Sequence, residues 1–375
     1  MSLHIDTNFP GGNAIIERIE GDQIFLQQDL RDTQSDWFYW YCRVTGASGR
    51  TLHFNFTKSR ALGGRGPAFS LDGGESWRYL SSLDEDGKGF SFSVPQGAQE
   101  LRFSNTIPYL QTDWQKCLAR LKKYSGWEEG VLAKSRSGRN VEMFRSGPSQ
   151  KSKPFCLVLT ARHHCCETIA NFAMEGIIEG FLAQDKDGEF LRSKIDFAAI
   201  PFMDKDGSEN GDQGKLRSPH DHNRDYLGES IYPEVAALRK FTPEWVGSRK
   251  LLFFDLHCPW ISGKEQDRIF LVGQENQKIW QEFQNYGKIL ESINPGPLPF
   301  HMEHNVPYGC GWNKGIPSTC ASWVSTLPQT LMSGTFELGY DDICGVEVTP
   351  DAFRAFGHTM AKALAQYLGA EADSK

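Results

Sequence analysis

The sequence predicts an α/β domain built on a mixed, largely parallel sheet, preceded by a small antiparallel β-sandwich. Three observations predict it. Over the first hundred or so residues, short alternating strands are broken by Gly-containing turns. After Pro108, nearly continuous apolar runs alternate with helical stretches. The composition, with 39% hydrophobic residues in a chain of 375, allows a sizeable core and argues against general disorder. At roughly 100–200 residues per domain the length suits two domains. The change of register places them at 1–108 and 109–375.

The N-terminal elements follow from alternation. In Thr51–Lys58, Leu52, Phe54 and Phe56 fall on one face and His53, Asn55 and Thr57 on the other. Trp37–Val44 is a dense aromatic and β-branched run that reads as a strand. Phe90, Phe92 and Val94 alternate before Pro95, and Leu101 and Phe103 before Pro108. Turn signals fall between these runs, at Gly46–Gly49, Asp72-Gly73-Gly74 and Asp86-Gly87.

Beyond Pro108, Thr112–Gln115 has the form of a capping box, and Trp114, Cys117, Leu118 and Leu121 follow at helical spacing. Phe155–Thr160, Phe197–Met203 and Leu251–Leu256 are short apolar runs, the pattern of strands buried on both faces. Ile169–Phe181 carries helical periodicity. Phe353, Phe356, Met360 and Leu364 mark a last helix starting near Pro350.

Charge and cysteine usage exclude several function classes. Forty basic and 47 acidic residues give a net charge of −7, without the basic footprint of a nucleic-acid binder. No apolar run approaches the ~18 residues of a membrane span. The N-terminal segment has neither the basic nor the apolar region of a secretory signal. Nine cysteines, an odd number without C-x-x-C spacing, read as free thiols in a reducing, cytoplasmic compartment. No nucleic acid and no membrane is expected as a partner.

Polar residues gather just after the apolar runs, at 161–167, at 204–226, at His257 and at Glu337. In open α/β sheets ligands bind outside the carboxyl ends of the strands, so these segments are expected to converge. His164 and Glu167 are three apart, which lets an imidazole and a carboxylate reach one ion. His257 can supply a third ligand from the next strand end. Two histidines, a glutamate and an open water position form a catalytic zinc set, one ion per chain. His163 suits a supporting role. Asp204–Asp212 resembles a calcium loop only superficially, because positions 5, 6 and 12 would be Ser208, Glu209 and Lys215. His301, Glu303 and His304 read as loop residues.

This combination resembles the carboxypeptidase A-like family of zinc metallopeptidases, and within it the cytosolic carboxypeptidase branch. Family members carry H-x-x-E after an early strand, matched by His164 and Glu167. An N-P-D-G element followed by an arginine and Asn-Arg is matched by Asp204-Lys205-Asp206-Gly207, Arg217 and Asn223-Arg224. A D-x-H at a strand end is matched by Asp255-Leu256-His257, and T-F-E-L by Thr335-Phe336-Glu337-Leu338. The N-P-D-G element has lost its Asn and Pro, and the stretch to Arg217 is longer than usual.

The resemblance implies a zinc carboxypeptidase-like catalytic domain that removes C-terminal residues from peptides or proteins. It makes Glu337 the general base, Arg217 the oxyanion-stabilising cation, and Asn223 and Arg224 the holders of the substrate carboxylate, with Tyr308 and then Tyr340 as candidates for an active-site tyrosine. Cys165 and Cys166 stand where relatives have Pro and Gly, and inert packing is expected of them. From Gly315 to Phe336 there is no Lys or Arg, so this loop offers no partner for an acidic side chain. Two other functions fit the same residues: a zinc amidohydrolase acting on small N-acyl amino acids, and a catalytically silent protein whose sandwich recruits a partner.

Overall fold

The computed structural model describes residues 2–373 apart from positions 60, 86, 148–152 and 316–317. Asp86, read above as part of a turn, lies outside the described residues.

The first part of the chain forms two facing sheets. One contains β1 (His4–Asp6), β4 (Tyr41–Thr45), β6 (Ala68–Ser70), β7 (Arg78–Tyr79) and β9 (Glu100–Ser104), in the order β1-β4-β9-β6-β7 and antiparallel throughout. The other contains β2 (Ile15–Glu20), β3 (Gln23–Gln27), β5 (Thr51–Phe56) and β8 (Gly89–Ser93), in the order β2-β3-β5-β8. Here β3 and β5 run parallel, so this sheet is mixed rather than antiparallel. The alternating apolar faces meet between the sheets: Phe54 lies 5.0 Å from Phe103 and Phe69 lies 4.9 Å from Phe92, centroid to centroid.

The aromatic run at 37–44 becomes a strand only from Tyr41. Trp40 stays in the sandwich core against Phe56 and Phe90, whereas Trp37 and Phe38 pack onto the remainder of the chain. Trp37 and Phe38 lie 4.9 and 5.1 Å from Trp260, and Phe38 lies 5.4 Å from Tyr340.

Helix α1 (Gln111–Leu121) buries Trp114, Cys117, Leu118 and Leu121. Its N-cap is Leu110, two residues ahead of the predicted Thr112, and the cap is made differently: Asp113 accepts from the Leu110 amide at 2.9 Å, and Glu209 accepts from the Gln111 amide at 2.8 Å. Strands β10 (Trp127–Lys134), β11 (Asn140–Ser146), β12 (Phe155–Ala161), β13 (Ile195–Ile200), β14 (Lys250–His257), β15 (Ile269–Val272) and β16 (Thr330–Leu338) form a seven-stranded sheet, β10-β11-β13-β12-β14-β16-β15. The four central strands are parallel and the remaining pairs antiparallel. The sheet is therefore mixed, with its parallel part at the centre and its antiparallel strands at the two edges.

Helices α2 (Ala170–Leu182), α3 (Lys186–Lys194), α6 (Gln277–Ile293) and α8 (Pro350–Asp373) contribute to one core layer. Helices α5 (Pro233–Val246) and α7 (Cys320–Ser325) pack in the other. The short α4 (Lys205–Asn210) opens the segment that leads from β13 to the site. One apolar cluster runs without interruption from the N-terminal sheets through Ile107, Tyr109 and α1 to α2, α6 and α8.

Candidate metal centre and active site

The parallel register fixes where chemistry can occur. Strands β12, β14 and β16 end side by side, with Ala161 opposite Leu256 and His257 opposite Glu337. The chain leaving β12 turns sharply at Arg162, whose φ is 62°. Its buried guanidinium donates to the Tyr109 and Cys165 carbonyls and to Asn171 Oδ1. That clamp holds the loop carrying His164 and Glu167. Arg162 was invisible in the sequence because its partners are mostly main-chain carbonyls that no residue type announces.

His164 Nδ1 lies 2.9 Å from Glu167 Oε1, and His257 Nδ1 lies 2.8 Å from Glu167 Oε2 and 3.2 Å from His164 Nδ1. All three side chains are buried. Their ligating atoms lie within 4.8 Å of one another, one of two such sets among the described residues; the other is His163, Asp255 and His257. Two imidazole Nδ1 atoms and one carboxylate converging on a point suit a zinc ion. Behind them, His257 Nε2 lies 3.0 Å from Asp255 and His164 Nε2 3.7 Å from Asp221.

Glu337 sits beside this set, at the end of β16. Burial, with the Glu167 charge, pushes its carboxyl up to about 7 against the pull of His257 and Lys215. Its Oε2 is buried without a hydrogen-bond partner. Lys215 Nζ lies 2.8 Å from Glu167 Oε1 and 4.5 Å from the centroid of the Trp37 ring. Although burial opposes its charge, the Glu167 carboxylate keeps it protonated and raises its pKa.

His164, His257, Glu337 and Lys215 line a cavity of about 440 Å³, together with Asn223, Arg224 and Tyr308. Asn223 accepts from the Cys320 amide at 2.9 Å, and its Nδ2 lies 3.4 Å from His257 Nε2. Lys314 also lines the cavity, so a cation does stand near the loop that lacks one between 315 and 336. Tyr340 is buried in the core and does not line this cavity. His301 and Glu303 are exposed on a short 3-10 turn.

Arg217 departs from its expected place. It lines a different crevice, where it pairs with Asp204 at 2.7 Å, Asp32 at 2.9 Å and Asp212 at 3.2 Å. Three carboxylates fix the guanidinium there, and Lys215, two residues earlier, reaches the cavity in its stead, alongside Arg224. Cys165 and Cys166 are buried, and burial pushes the Cys166 thiol up to about 12 and that of Cys165 up further. Neither thiol is ionised at neutral pH.

The fold is that of the metallo-carboxypeptidases. The chain aligns over 99% of its length with the whole of a metallo-carboxypeptidase from Burkholderia cenocepacia, with a TM-score of 0.82 at 19% identity. It also aligns over 98% of its length with 99% of a metallo-carboxypeptidase from Pseudomonas aeruginosa in complex with (2-guanidinoethylmercapto)succinic acid, with a TM-score of 0.81 at 22% identity. In sequence, it is 29% identical to an uncharacterized protein of Zymomonas mobilis over 56% of each chain. It is 25% identical to cytosolic carboxypeptidase 6 of Caenorhabditis elegans over 75% of this chain and 67% of that one. The match to human cytosolic carboxypeptidase 4 spans only 16% of that protein. No family model matches. The chain is thus similar in sequence to cytosolic carboxypeptidases and in fold to metallo-carboxypeptidases.

Proposed function

We propose that the protein is a zinc-dependent carboxypeptidase that removes C-terminal residues from peptides or proteins. The observation carrying this reading is the convergence of His164 Nδ1, Glu167 and His257 Nδ1, with both histidines lining the same cavity as Glu337. Zinc held by those three residues would supply Lewis-acid activation of water and of the scissile carbonyl.

The remaining chemistry belongs to this chain's own side chains. Glu337, near neutrality and without a competing partner, takes a proton from the attacking water on Oε2 and returns it to the leaving amine. Lys215 supplies a desolvated positive charge next to Glu167, where negative charge develops on the carbonyl oxygen. Arg224, with the Asn223 amide, offers donors for a terminal carboxylate. Tyr308 stands at the cavity edge. The names of the relatives support a cytoplasmic setting.

The test is mass spectrometry of a varied peptide mixture after incubation with zinc-loaded protein, with Glu337→Gln run in parallel. Stepwise C-terminal shortening is expected from the wild type, with the variant slower by about 10²–10⁴-fold while it retains zinc. Zinc binding without any shortening would direct the reading to small N-acyl amino acids instead.

A further inference from the structure

The second cluster of metal-ligating residues points to a device behind the first. His163, Asp255, Thr160 and Tyr226 are each no more than 1% exposed, and neither His163 nor Asp255 lines the cavity. Asp255 Oδ1 accepts from the Thr160 hydroxyl at 2.7 Å and lies 2.9 Å from His163 Nδ1. His163 Nε2 lies 2.7 Å from the Tyr226 hydroxyl. Both ring nitrogens of His163 are therefore engaged, which leaves none to ligate an ion in this group.

The protons follow from the partners. A carboxylate only accepts, so His163 carries its proton on Nδ1 and receives the Tyr226 hydroxyl on Nε2. The other carboxylate oxygen, Oδ2, is 3.0 Å from His257 Nε2. With zinc on His257 Nδ1, as proposed above, Nε2 carries the ring proton; it lies beside Asp255 Oδ2, which is buried with no other hydrogen-bond partner, and 3.4 Å from Asn223 Nδ2. The His163 and His257 rings lie nearly parallel, 11° apart at 5.8 Å. Asp255 is thus held from one side by two donors and presents its remaining oxygen to the ligand.

We propose that His163 is a positioning residue for the metal centre: its Nδ1–H, with the Thr160 hydroxyl, fixes Asp255, which holds His257 as the tautomer whose Nδ1 is bare and aimed at Glu167 and His164. The inference rests on the reading that His164, Glu167 and His257 bind zinc. It adds to it a residue two bonds of the network away, which touches neither ion nor substrate. Partners that orient a ligand in this way are typically worth 10–100-fold in metal affinity.

The experiment measures zinc affinity of the full chain by competition with a chelator. His163→Leu, which keeps an apolar volume and removes the donor, is expected to weaken zinc binding by about 10–100-fold. His163→Asn restores a donor at the Nδ1 position and is expected to recover most of the loss. Tyr226→Phe, which changes no shape, is expected to weaken zinc in the same direction by less, and it carries the test alone should His163→Leu fail to fold. A residue that serves only the fold would lower the melting temperature of the metal-free protein and leave zinc affinity unchanged. Unchanged affinity in His163→Leu, or in Tyr226→Phe where that variant stands alone, would overturn the inference. So would His163→Asn binding as weakly as His163→Leu. Absence of stoichiometric zinc from the wild type would instead overturn the metal reading on which the inference rests.

Discussion

Lys215 and Arg217 are two residues apart and line different cavities, although a reading by residue type favours the arginine. Arg217 is held by three carboxylates, whereas Lys215 reaches Glu167. Their variants should separate accordingly. Lys215→Ala is expected to lower kcat by roughly 10²–10³-fold with a much smaller change in KM, and Lys215→Arg to recover part of it. Arg217→Ala is expected to cost about 3–5 kcal/mol of stability, because it leaves buried carboxylates without their cation, while the folded fraction keeps its turnover. Steady-state kinetics beside thermal melts check both. A loss of turnover in Arg217→Ala without loss of stability would return the arginine to the mechanism. The contrast explains what was legible at this scale. His164, Glu167 and His257 stood out because short spacing and strand ends are local signals. Lys215 did not, because its segment from Asp204 to Tyr226 is irregular and only the folded chain shows which of its side chains turn inward.

At the scale of elements, the apolar runs at 155–160 and 251–256 read through to strands with little shift, because a strand buried on both faces writes its burial directly into sequence. Strand direction was not written there. The antiparallel edges β10, β11 and β15, and the parallel pair β3 and β5, depend on connections that composition does not encode. Helix packing was equally hidden where it depends on glycine. A Cβ on Gly176 of α2 would lie 2.0 Å from the Arg354 carbonyl of α8, and one on Gly357 of α8 would lie 2.1 Å from the Ala173 carbonyl of α2. The two backbones therefore touch. In an isolated helix Gly→Ala is worth about 1 kcal/mol of stabilisation. Here Gly176→Ala must push the helices apart, and a net loss of about 1–3 kcal/mol is expected, read as a lower unfolding midpoint. An unchanged or raised midpoint would show that α8 shifts freely.

At the scale of the whole molecule, the N-terminal part contributes Trp37 to the cavity and is bonded to the segment that carries Lys215. Burial pushes Asp341, which accepts from the Arg65 amide at 2.7 Å, up to about 7, with the charges of Asp267 and Asp342 adding to the rise. A carboxyl raised above its ordinary value near 4 favours the folded state least when ionised, so its contribution is lost as pH rises from about 4 through 7. Asp341→Asn should therefore flatten the fall in melting temperature between pH 5 and pH 8. A second junction lies beside Lys215. Asp32 accepts from the amides of Gln213 and Gly214, each at 2.9 Å, and Gln213 bonds the Tyr39 main chain in both directions. Asn13 donates to the Gly211 carbonyl, and Arg31 to the Asn210 carbonyl and Asp212. We propose that residues 1–108 and 109–375 are two domains that fold as one cooperative unit. A fragment beginning at 109 would leave the 210–217 segment without its partners and uncover Leu110 and Cys166, which cluster with Tyr39 and Tyr41. It is expected to melt broadly at lower temperature, and to bind zinc more weakly because Lys215 and the loop around His164 lose their support. Circular dichroism melts and zinc competition on the fragment check this. A sharp melt with full-chain zinc affinity would mean that the catalytic half builds its site unaided.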